Sequence, residues 1–151
     1  MTIDHTTSLF FDASCLIAAA GSPAGGSGFL MSLCEKGHLR AVTSTYVMAE
    51  AARNIQARMK PMAWANYQAL LISVPFVVAP IPNPLPNLPP VNAKDLHVVA
   101  AAIASGCAYL LTLDKGLLIE ANRAKPGFPT LLPGDFIKTV LPTHLDFPNL
   151  R

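Results

Sequence analysis

Apolar residues fall along this chain in short runs separated by turn chemistry, and two of those runs end on a lone carboxylate. Ala108-Tyr109-Leu110-Leu111-Thr112-Leu113 leads into Asp114, with Ser105-Gly106 before it and Lys115-Gly116 after it, the pattern of a buried strand. Thr7-Ser8-Leu9-Phe10-Phe11 repeats the design and stops at Asp12. In open α/β sheets ligands bind outside the carboxyl ends of the strands, so aspartates that end strands are candidates for chemistry.

The remaining pattern predicts helices alternating with strands. Ala and Leu favour a helix over 13–20. The Gly- and Ser-rich stretch 21–28 is expected to be a flexible connection, because it lacks the Lys and Ser/Thr of a phosphate-cradling loop. Residues 29–36 predict a helix stopped by Gly37, and 39–42 a strand. Thr43-Ser44-Thr45 offers capping hydroxyls to a helix over 46–59, and Pro61 opens another that runs to 72. After a strand at 76–78, prolines crowd residues 80–90, which are expected to form an extended surface crossover. A helix over 94–104 leads to the strand at 108–113, and a short helix follows over 116–123. A strand at 130–132 and a proline-led helix from 133 to about 141 come next. The stretch from Pro142 is expected to be a loosely held tail. The alternation predicts a three-layer α/β/α sandwich with a central, mostly parallel sheet, as one domain over 1–151.

Composition narrows the partners. No stretch supplies the roughly 20 uninterrupted apolar residues of a spanning helix, and residues 1–6 lack a positive n-region, so neither membrane nor signal peptide is expected. Cys15, Cys34 and Cys107 lie far apart among apolar or small residues, as buried reduced thiols of a cytosolic protein do. Four scattered histidines give no zinc spacing. Charged residues make up only 13% of the chain, against about a quarter in an average domain. With nine acids in all, those at strand ends and on apolar helix faces stand out.

Four of them form a candidate site. Asp12, Asp95 and Asp114 sit where a strand ends or a helix begins, and Glu50 lies mid-helix in an otherwise apolar stretch. Each has a plainer reading: Asp95 as the acid three residues into an Asn92-capped helix, Asp114 as a turn residue, Glu50 as a solvated helix residue. Carboxylates gathered without basic partners raise one another's pKa values, and a divalent cation offsets that repulsion. Mg²⁺ and Mn²⁺ prefer such hard oxygen ligands, and the chemistry that follows is phosphodiester hydrolysis. Ser14 and Thr112, each two residues from an aspartate, can support a carboxylate by hydrogen bond. His97, in an apolar run, reads as a core or edge histidine.

Phe10-Phe11-Asp12-Ala13-Ser14 resembles the opening strand, aspartate and hydroxyl residue of the PIN domain, the nuclease fold of VapC-type toxins and related RNA-processing enzymes. Thr43-Ser44-Thr45-Tyr46-Val47-Met48-Ala49-Glu50 is similar to its helix-borne glutamate. Lys94-Asp95-Leu96-His97-Val98-Val99-Ala100-Ala101-Ala102, Leu110-Leu111-Thr112-Leu113-Asp114-Lys115-Gly116 and Leu132-Pro133-Gly134-Asp135-Phe136-Ile137 continue the likeness over nearly the whole chain. The resemblance implies a Mg²⁺- or Mn²⁺-dependent endoribonuclease acting on RNA. Asp12, Asp95 and Asp114 would be on the metal and Glu50 on the attacking water. It further implies a toxin-antitoxin pair with an antitoxin partner, a homodimer and cytoplasmic action. At Gly116 the chain departs from many members, which carry a further acid there. That departure keeps open a catalytically weak or inactive PIN-like module that binds RNA or protein.

Overall fold

The computed structural model describes residues 2–150. Strands β1 (Ser8–Phe11), β2 (Arg40–Thr43), β3 (Val77–Val78), β4 (Tyr109–Leu111) and β5 (Thr130–Leu131) form one sheet in the order β3-β2-β1-β4-β5, every pair parallel. Leu9, Phe10 and Phe11 are consecutive and all fully buried. Successive side chains on a strand point to opposite faces, so this strand is covered on both, which is the expected α/β sandwich.

The helices are α1 (Ala13–Gly21), α2 (Gly26–Glu35), α3 (Thr45–Arg58), α4 (Pro61–Ser73), α5 (Leu96–Ser105), α6 (Lys115–Ala124) and the short α7 (Pro133–Asp135). Of the three hydroxyls expected to cap α3, Ser44 does so, accepting the Val47 N–H at 3.2 Å. Gly37 ends α2 with a φ of +83°, which a side chain would strain. In α5 every residue from His97 to Ala102 is buried. No single helix among the described residues is long and apolar enough to cross a membrane.

Four expectations are corrected. The glycine-rich link is not flexible: α2 already begins at Gly26, and a side chain at Gly28 would collide with the Pro23 backbone. Glycine serves there for close packing. The helix expected from 94 starts as a 3-10 turn, Ala93–Asp95, capped by Asn92, and α5 proper begins at Leu96. The last helix is broken into α7, a π turn at Phe136–Val140 and a 3-10 turn at Leu141–Thr143. The segment from Pro142 is tied down: His144 bridges Ile3 and bonds the His38 carbonyl, and Leu150 is buried.

Candidate active site

The chain leaves β1 for β2 and β3 on one side of the sheet, then returns to lay β4 and β5 on the other. Strand order therefore reverses between β1 and β4, and the crevice at their carboxyl ends is where such sheets bind ligands. Phe11 pairs with Leu111 there, so Asp12 and Thr112 are the next residues on adjacent strands.

Both strand-ending aspartates cap the helix that follows, which explains their position locally. Asp12 Oδ1 accepts the Ala13 N–H at 2.7 Å, and Asp114 Oδ1 accepts the Leu117 N–H at 3.1 Å. Asp12 does more. Its Oδ2 accepts the Thr112 hydroxyl at 2.8 Å and the Ser14 hydroxyl at 3.2 Å. Ser14 Oγ in turn accepts the Leu113 N–H at 2.9 Å, and Thr112 Oγ1 accepts the Asp114 N–H at 3.0 Å. Two strand ends a hundred residues apart are thus joined through one carboxylate.

Glu50 is partly buried in mid-α3, and Asp95 stands at the threshold of α5 with no capping bond of its own. Burial pushes the carboxyls of Asp12, Glu50 and Asp95 above their ordinary range. At Asp12 three hydrogen-bond donors oppose the shift and the charge of Asp114 adds to it. Asp12 and Asp95 both raise Glu50, against Arg53 and Lys94. Lys94 opposes the shift at Asp95, while Asp114, Asp12 and Glu120 reinforce it. Asp12 is thus the shared neighbour: its charge acts on Glu50 and Asp95, and that of Asp114 acts on it.

Two contacts escaped sequence reasoning, although His97 is buried as its apolar run suggested. Glu120 Oε1 accepts the Asn92 N–H at 2.7 Å and so anchors the turn that carries Asp95. Its only signal is an acid one helical turn past Gly116 on the same face. His97 is buried against Tyr46, ring centroids 4.0 Å apart, with Nδ1 lacking a hydrogen-bond partner. Burial lowers its pKa, so the neutral ring is favoured.

As the side chains stand, no three His, Cys, Asp or Glu residues among those described converge as a metal site. The donor set still suits a hard divalent cation: carboxylate oxygens, crowded and partly desolvated, whose mutual repulsion a cation offsets. A side chain at Gly116 would press on Asp114 Oδ1 at 3.2 Å.

A family model described as the PIN domain matches residues 8–116. The chain is a PIN-domain protein. PIN domains are generally nucleases, and the matched span carries Asp12, Glu50, Asp95 and Asp114. The PIN fold is also seen in a solved structure, VapBC2 from Rickettsia felis bound to a DNA fragment from its promoter. The likeness has a TM-score of 0.59 and 12% identity, covering 83% of this chain and 98% of that one. At that identity it is a likeness of fold. No match is found among curated proteins.

Proposed function

We propose that this PIN domain is a Mg²⁺- or Mn²⁺-dependent endoribonuclease that hydrolyses RNA phosphodiester bonds, acting as the toxin of a toxin-antitoxin pair. The observation that carries the reading is the Thr112–Asp12 bond across the reversal of strand order, with three further acids in electrostatic reach. Asp12, Asp95 and Asp114 would hold the cation directly or through water. When bound, the cation neutralises charge on the phosphate oxygens in the transition state. Ser14 and Thr112 orient Asp12 through their hydroxyls. Glu50, with its proton affinity raised, is suited to take the proton of the attacking water. The water oxygen bonds to phosphorus as the bond to the leaving ribose oxygen breaks.

An antitoxin partner, a homodimer and cytoplasmic action belong to the same proposal. The Rickettsia neighbour, a VapBC complex, supports the partner. A cavity of about 250 Å³ between α1, α2 and α4, lined by Ala19, Met31 and Leu70 and also by Ser32, Glu35 and Asn66, has room for side chains of such a partner. Gly116 favours a second reading, an inactive PIN-like module that binds RNA or protein. Incubation with RNA and Mn²⁺, with and without chelator, separates the two. We expect metal-dependent cleavage that Asp12→Asn abolishes while the fold is kept; cleavage by the variant at the parent rate would sink the mechanism.

A further inference from the structure

Tyr46 and His97 stand outside the acidic set but beside it. Tyr46 lies in the first turn of α3, one turn ahead of Glu50, so the two share a helix face. His97 is in the first turn of α5, near enough to Asp12 for that charge to act on its imidazole. The rings touch, centroids 4.0 Å apart and planes inclined by 46°. His97 is 8% exposed and its Nδ1 has no hydrogen-bond partner, so the ring is held by packing, Tyr46 included. Tyr46 is the reverse, 50% exposed. An aromatic ring seated on a buried ring, with half its surface open at the carboxyl end of the sheet, is a platform without its upper layer. Its orientation is already fixed from below, so little side-chain freedom is lost when something stacks on it. Arg53 and Lys94, close enough to act on Glu50, put positive charge on the same rim.

We propose that the open side of Tyr46 stacks an unpaired nucleobase of a single strand, adjacent to the phosphate cleaved at the acids. This contact presupposes the nuclease reading and adds a substrate subsite to it. Every base has a π-face, so the subsite tolerates sequence; what it demands is a base that is free to unstack. Arg53 and Lys94 are placed to meet the flanking phosphates. His97 is a positioning residue that holds the Tyr46 ring without touching the strand.

The test is cleavage of a short unstructured RNA oligonucleotide in Mn²⁺ by the parent, Tyr46→Ala, Tyr46→Phe and Tyr46→Trp. Tyr46→Ala is expected to raise KM by about ten- to a hundredfold with kcat little changed, the loss typical of one stacked base. Tyr46→Phe and Tyr46→Trp should keep the parental KM. His97→Ala should raise KM, and His97→Phe should restore it. An oligonucleotide with an abasic site beside the cleaved bond should cost the parent as much as Tyr46→Ala does, and cost that variant nothing more. A parental KM in Tyr46→Ala, or equal damage in Tyr46→Phe, overturns the stacking contact while leaving the nuclease reading standing. A parent that cuts no RNA overturns both.

Discussion

Each end of the sheet buries one histidine, and the two are held differently. At the amino end His144 is 3% exposed; its Nε2 lies 2.8 Å from the His38 carbonyl oxygen, and its Nδ1 accepts the Asp146 N–H at 3.0 Å. Both ring nitrogens are satisfied, and the neighbouring backbone pairs with Ile3. At the carboxyl end His97 is nearly as buried, yet Nδ1 is unpartnered and the ring rests on a half-exposed tyrosine. The acids around it carry raised proton affinities. Buried polar groups in proteins are nearly always paired, and exceptions gather where function requires them. The amino end is finished as structure, whereas the carboxyl end keeps unsatisfied chemistry.

Substitution should split the two ends cleanly. The largest effect is expected from Asp12→Asn, which should lower cleavage by more than about 10²-fold, since even outer-shell partners of a metal site typically cost 10–100-fold. The amide keeps the side chain's shape, so the melting temperature should change little. His144→Ala should do the opposite, removing about 1–3 kcal/mol of stability in denaturant unfolding through lost buried hydrogen bonds, with kcat unchanged. Thr112→Val touches both properties. It removes a donor to Asp12 and the acceptor of the Asp114 N–H, so it should cost about 1–2 kcal/mol and move the pH profile of cleavage upward.

The smallest effects are in the pH dependence of stability. Glu50 has its carboxyl raised in the fold, so the folded state binds the extra proton just above the ordinary value of 4.5. That contribution is favourable at low pH and is lost as pH rises through the raised value. His97 runs the other way: its pKa is lowered from 6.5, so stability is lost as pH falls through that value. Melts across pH should show Glu50→Gln flattening the first trend and raising Tm at neutral pH by no more than about 3 °C. His97→Phe should flatten the second. A Glu50→Gln protein that is less stable at neutral pH would mean that its carboxylate is held, not strained.

Strands and helices were legible where apolar runs met turn residues, as at Phe10-Phe11-Asp12 and Leu110-Leu111-Thr112. The acids followed because carboxylates at strand ends are rare in so weakly charged a chain. What periodicity could not supply was the adjacency of β1 and β4, a pairing across a hundred residues that alone turns Ser14, Asp12 and Thr112 into one hydrogen-bonded unit. Gly28 read as freedom because its close packing on Pro23 leaves no mark in composition. The prolines after 141 hid the anchor at His144, whose partners lie at His38 and Ile3. The stack of Tyr46 on His97 likewise joins two helices far apart in sequence.

The proposed nuclease stands or falls on acids at the ends of β1 and β4 sharing one divalent cation. Calorimetric titration of Mn²⁺ into the parent, Asp12→Asn and Asp114→Asn, each checked for folding, tests it without relying on an RNA substrate. Saturable binding is expected in the parent, lost in both variants and reversed by chelator. Binding that survives both substitutions, or none in the parent even with an RNA oligonucleotide present, would contradict it.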